Sequence, residues 1–316
     1  MVIVPYFKKN KMKKLGIEKL IREEIKNIIK EADVFGQPTA MPLSKINAKA
    51  AKAAFGAGSK DGNDKDDAAA VNSSAKEKVG SLKPMQKEVI PEKAVSFAMG
   101  FLRDGTPDLN DMEAIVSSDK YIMDGHHRWA AHTLINPAAS VTVAKIDMPA
   151  DDLITTLNIY TKAKGLKGNP GEGDVTKFAS SVPEVLKKVM AGGTKVLKYT
   201  KGPWPVLDAE EAKESFGKVP GANGDAEKGM EIMIANAKKL PTKKHPNAPS
   251  RVDMPVIDAG KGDLKKVLAK ISAGEMDIKE PFSKDVEGNL KTKGDEDKEF
   301  SVTESKRWQK LAGIIK

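Results

Sequence analysis

The 316 residues include no cysteine, which excludes disulfide scaffolds, Cys-ligated zinc, iron–sulfur clusters and thiol nucleophiles together. Lys and Arg outnumber Asp and Glu by 53 to 44, yet residues 1–32 alone hold a net +5, leaving +4 on the other 284. The basicity belongs to one end, so overall charge is no argument for a nucleic-acid partner. No apolar run approaches the roughly 20 residues that span a bilayer, and a soluble, cytoplasmic chain without a membrane partner is expected.

From Leu15 to Ala32 the apolar residues Ile17, Leu20, Ile21, Ile25, Ile28 and Ile29 recur every three or four positions. Charged residues fill the other face, which predicts an amphipathic helix about 27 Å long. A lone helix of that length is marginal in water, so its apolar stripe needs a partner. Residues 36–78 hold few large apolar side chains and read as a flexible linker. A folded unit follows over 79–165. Its predicted elements are a helix at Glu92–Leu102, strands at Ala114–Val116 and Tyr121–Met123 forming a hairpin, and a helix at His126–Leu134. A strand at Ser140–Asp147 and a helix at Ala150–Tyr160 complete it. Helices are expected at Val175–Met190, Ala209–Phe216 and Glu227–Lys239, with Asp174 capping the first. The expected class is α+β: a small mixed sheet with flanking helices, then a mainly helical extension over 166–265. A charged tail over 266–316 ends in a short helix around Trp308, Leu311 and Ile315.

The chemistry concentrates in Tyr121-Ile122-Met123-Asp124-Gly125-His126-His127-Arg128-Trp129. An apolar strand delivers a carboxylate to its end, Gly125 turns the backbone, and a helix opens. Free N–H groups at a helix start form an anion site. His126, His127 and Arg128 would add donors on that first turn, and Arg grips phosphate or carboxylate bidentately. Asp124 there can orient or deprotonate a hydroxyl, or hold a divalent cation that bridges phosphates. Against this stands the plain reading of Asp124 as a helix cap, with Trp129 and His132 as core residues. Adjacent helical residues diverge by about 100°, so His126 and His127 do not suit a shared metal ion. Gly165–Gly173 reads as a plain flexible loop before a second anion-binding loop, since no Lys-Ser or Lys-Thr follows its glycines.

The segment Asp124–Ala130 resembles the signature of the ParB/sulfiredoxin superfamily, most of all its ADP-dependent free serine kinase branch. Leu82-Lys83-Pro84-Met85-Gln86 is similar to that superfamily's first box. More loosely, the chain through Ile257 resembles ParB-like proteins of bacteriophages. The resemblance implies that Gly125, His126, His127 and Arg128 cradle nucleotide phosphates. It implies that Asp124 acts near the transferred group or its metal, and that Lys83 and Gln86 lie beside the nucleotide. ADP, ATP or CTP, with Mg²⁺, are the ligands implied; which metal, if any, is left open. In the kinase branch a catalytic Glu stands where this chain has Gln86. Gln is no general base, so Asp124 or Glu88 takes that role or kinase activity is lost. A sulfiredoxin reaction is excluded by the missing cysteine. Arg251 and Asp253 are weaker candidates to complete the pocket.

Two functions stay open. One is a nucleotide- or phosphodiester-processing enzyme, a phosphotransferase or nuclease, with Asp124, His127 and Arg128 as the catalytic set. The other is a non-enzymatic phage accessory or virion-associated module that binds nucleotide or DNA and docks a protein partner through the helix within residues 1–35. If phage-encoded, the chain would work in the host cytoplasm or in the virion. Sequence-specific nucleic-acid binding is the weakest option, since 175–240 holds no convincing recognition helix.

Overall fold

The computed structural model describes residues 40–46, 48–55, 68–104, 111–199, 206–257 and 262–276, with the backbone of 283–284 and 290–291. The predicted helices at 15–32 and 305–315, and the docking role of the first, lie outside the described residues.

Five strands form one mixed sheet: β1 (Val71–Lys78), β2 (Lys83–Pro84), β3 (Asp111–Val116), β4 (Tyr121–Asp124) and β5 (Ser140–Ile146), in the order β1-β5-β3-β4-β2. β3 and β4 pair antiparallel across the turn at 117–120, as the hairpin reading expects. β5 runs parallel to β3 and antiparallel to β1, and β2 runs parallel to β4. Helices α1 (Ala48–Ala54), α2 (Pro91–Asp104), α3 (His126–Ile135) and α4 (Ala150–Ala163) flank the sheet. They are followed by α5 (Phe178–Gly192), α6 (Ala209–Gly217), α7 (Ala226–Ala237) and α8 (Asp263–Ser272). The protein is therefore α+β with helices on both faces of its sheet. No helix among the described residues is long and apolar enough to cross a membrane.

Strand alternation explains the layers. Met112, Ala114, Val116 and Ile122 point into one core with α2, α3, α5, α6 and α7. Ile115, Tyr121, Met123 and Ile146 point into a second core with α4, α8 and Ile46. The helical extension is thus continuous with the first core. Trp129 has no solvent exposure, and its indole N–H donates to the Val79 carbonyl at 3.0 Å. Trp129→Phe is expected to lower unfolding free energy by about 1–3 kcal/mol, because it strips that carbonyl of its shorter bond, leaving only Leu82 N–H at 3.3 Å, and opens a void beside the ring. Urea denaturation measures it, and an unchanged midpoint would refute the role.

Two boundaries need correction. The stretch read as a linker contains β1, the 3-10 turn Leu43–Lys45 and α1, with Leu43, Ile46 and Ala51 buried. β1 escaped notice because only Ala75 and Glu77 are buried along Val71–Lys78, so its ladder with β5, and not its side chains, holds it. The charged tail also starts too early at 266: Val267, Leu268 and Ile271 of α8 are buried in the second core. The glycine loop is no free loop. A side chain at Gly168 would collide with the Val252 carbonyl, and Gly173, at φ +144°, lies against the Val89 carbonyl. Asp174 caps as expected, accepting from Thr176 N–H at 2.9 Å at the start of a 3-10 turn that leads into α5.

Candidate functional site

The site begins where β4 ends. Asp124 closes the strand opposite Ile115 of β3, and Gly125 adopts φ +96°, a left-handed turn that favours glycine. The turn runs so close to β3 that a Cβ at Gly125 would lie 2.8 Å from the Ala114 Cβ. That approach lets Arg128, one turn into α3, reach back across β3. Its Nε donates to the Met112 carbonyl at 3.0 Å, and Nη2 donates to the Glu113 carbonyl at 2.7 Å. Nη2 also meets the Asp124 carboxylate at 3.3 Å. The first ladder bond of α3 is Trp129 N–H to the Gly125 carbonyl, so the N–H groups of His126, His127 and Arg128 precede the ladder.

The histidines play a different part from the one the sequence suggested. His126 Nε2 accepts from the Met85 and Gln86 N–H groups at 3.2 and 3.3 Å, and His127 Nε2 accepts from Ile90 N–H at 3.1 Å. Both rings are buried. An accepting Nε2 puts the proton of a neutral ring on Nδ1. Burial, aided by Arg251, pushes His126 down to about 3; burial, with Lys93 and Arg251, holds His127 well below the ordinary value. Instead of offering Nε2 donors to a ligand, the pair ties the 85–90 loop to the helix start.

A cleft opens beside this turn, with an empty volume of about 520 Å³ counted out to bulk solvent. Residues 123–128 form one wall, with Gln86, Lys93 and Phe97 adjoining, and Asn169, Arg251, Met254 and Pro255 complete it. The structure thus brings Asp124, Gly125, His126, His127, Arg128 and Gln86 together. Burial raises the Asp124 carboxyl above the ordinary carboxylate range, against the opposing pull of Arg128, the Gly125 N–H and Lys93. Burial lowers the Lys93 ammonium, and Arg251 lowers it further.

Three expected residues lie elsewhere. Lys83 sits with its ammonium 4.0 Å from the centre of the Tyr121 ring and does not line the cleft. Glu88 does not line it either: its carboxylate accepts from Arg251 N–H at 2.7 Å. The Asp253 carboxylate accepts from Ser44 N–H at 3.0 Å and from the Ser250 hydroxyl at 3.1 Å. Gln86 reaches the cleft, but its amide N–H donates to the Glu88 carbonyl. Sequence reading missed Lys93 and Asn169. The available signal for Lys93 was its place in the first turn of α2, four residues before Phe97 and so on the same helix face.

Among the described residues no group of three or more His, Asp or Glu is arranged to hold a metal ion. No protein-family model, curated protein or solved structure matches this chain.

Proposed function

We propose that the cleft binds the phosphate group of a nucleotide or phosphodiester, and that the chain processes it with Asp124 beside the reacting oxygen. The observation that carries this reading is the convergence of Lys93, Arg128, Arg251 and the first turn of α3 on one cleft. Preorganised N–H groups and fixed cations stabilise the charge that develops in phosphoryl chemistry. Asp124 is the acidic residue lining the cleft, and burial strengthens its hold on a proton, which suits a base that accepts one from a hydroxyl or water. A Mg²⁺ ion fits such a site when phosphates bring most of its ligands, since Mg²⁺ takes one or two carboxylates besides them. The resemblance to the ParB/sulfiredoxin superfamily, and to its serine kinase branch, agrees with phosphate at this turn.

The non-enzymatic reading draws on one observation. Glu88 and the Gln86 amide are both engaged in the 86–88 loop and at Arg251 N–H, so neither supplies a second carboxylate to the cleft. One panel separates the two readings: ADP, ATP, CTP, free serine and plasmid DNA with magnesium, followed by thermal shift and product analysis. In the enzyme reading Asp124→Asn keeps ligand binding within several-fold while turnover falls by about 10²-fold or more. Binding with no turnover in the unaltered chain identifies the module. No shift with any phosphate compound refutes both.

A further inference from the structure

We infer that the cleft selects a phosphate group bearing two negative charges, a terminal phosphate and not a phosphodiester, and that Lys93 and Arg251 hold it. This rests on the phosphate reading above and narrows it to a substrate class.

The argument is a charge inventory of the wall. Its fixed charges are Lys93, Arg128, Arg251 and Asp124. The two imidazoles that line it accept backbone N–H groups and are neutral. Asp124 and Arg128 face each other at 3.3 Å and cancel. Three cations thus share one lining carboxylate, which leaves the wall with a net charge of +2. The Lys93 ammonium has no hydrogen bond or ion pair among the described residues; it lies 5.9 Å from the centre of the Phe97 ring and feels the Asp124 carboxylate only through space. The Arg251 guanidinium donates to the Pro170 carbonyl at 2.7 Å, a neutral acceptor. The one acid beside it, Glu88, is turned to the Arg251 backbone N–H.

Both side chains are half-buried, and partly desolvated cations in excess of their anions are costly. The arrangement is balanced when a ligand brings two negative charges. A phosphodiester brings one for each phosphate. A terminal phosphate monoester brings about two above its second pKa of about 6.

Arg251 is also held as a binding residue would be. Gly171 lies directly against its side chain, where a Cβ would strike the guanidinium, and the Pro170 carbonyl fixes one of its nitrogens. The loop 165–173 therefore buttresses Arg251 from behind while Asn169 reaches the cleft. A guanidinium clamped at one nitrogen keeps others for a planar, bidentate grip on phosphate.

Calorimetry on the full chain at pH 8 tests the inference with matched ligands: AMP, ADP and 3′,5′-cyclic AMP, the corresponding cytidine series, and a short oligothymidylate. The mono- and diphosphates of at least one series are expected to bind about tenfold or more tightly than the cyclic ester and the oligonucleotide. Lys93→Met and Arg251→Gln should each weaken the favoured ligand by about tenfold or more and the cyclic ester by much less. Equal or tighter binding of the cyclic ester or oligonucleotide overturns the dianion inference and leaves the phosphate reading standing. Absence of binding throughout the series overturns both. The comparison of ligands on the unaltered chain decides the matter even if a variant fails to fold.

Discussion

An Arg128→Met chain is expected to lose ligand affinity by about 100-fold or more and to be less stable by about 2–4 kcal/mol. Both effects arise from one guanidinium. In the folded chain it joins α3 to β3 through the Met112 and Glu113 carbonyls and offsets the Asp124 carboxylate. Removing it leaves two carbonyls short of a donor and a desolvated acid without its counter-charge. Asp124 would then hold its proton still more tightly, since the main influence that opposes burial is gone. Arg128→Lys should recover little, because an ammonium cannot span three acceptors with a planar fork. Urea denaturation and calorimetry read the two effects separately. Unchanged affinity would remove the turn from the binding site, and unchanged stability would refute the bridging role.

The second large effect is acid sensitivity. His126 and His132 are pushed down by burial to about 3 and about 4, and His127 is driven well below its ordinary value by the same cause. Unfolded histidine titrates near 6.5. Between those values the unfolded chain binds protons that the folded chain refuses, so stability falls as pH drops from about 6.5. Each such histidine contributes a slope of about 1.4 kcal/mol per pH unit, and three give on the order of 4. The loss for each ring ends once pH passes below its folded value. Asp124 works the other way, because its folded value is raised, and it adds stability only at acid pH. Glu77 adds to the loss: burial raises its carboxyl, but Lys145 and Lys120 outweigh that and lower it overall. Urea midpoints at pH 7.5, 6 and 4.5 should show the decline, and His132→Phe should reduce the slope by about one third. A flat profile would mean that the rings are not held neutral.

Much of the sheet-and-helix frame was legible because its signals are local. The apolar run of β4, the β-branched residues of β5 and the periodicity of α2 through α7 placed those elements within a few residues. β1 and α1 were not legible, because small and polar residues carry them and their stabilising contacts lie far along the chain. Ala75 faces Val143, and Ala51 packs into the second core with Leu153, Ile154 and Leu157 of α4. At the site, the strand-to-helix turn was readable from Asp124 to Arg128 as one contiguous string. The direction in which each histidine points was not, since it depends on the 85–90 loop folding over α3. Lys93 was not tied to the site by the string, and Arg251 was legible only as a weaker candidate to complete the pocket: they stand 158 positions apart and meet only when 250–257 closes over the second core.

The two outer strands have a consequence for behaviour at high concentration. β2 is two residues long, and the Pro84 carbonyl already accepts the His245 N–H, while Lys87 N–H is taken by the Pro249 carbonyl. The opposite margin, β1, is interrupted by a bulge between Asn72 and Ala75 and ends in Lys76, Glu77 and Lys78. One border is covered by its own chain, and the other is kinked and charged, so neither offers a straight template for strand addition by a neighbouring molecule. The sheet is built to resist fibrillar self-association even where its ladder ends in the open.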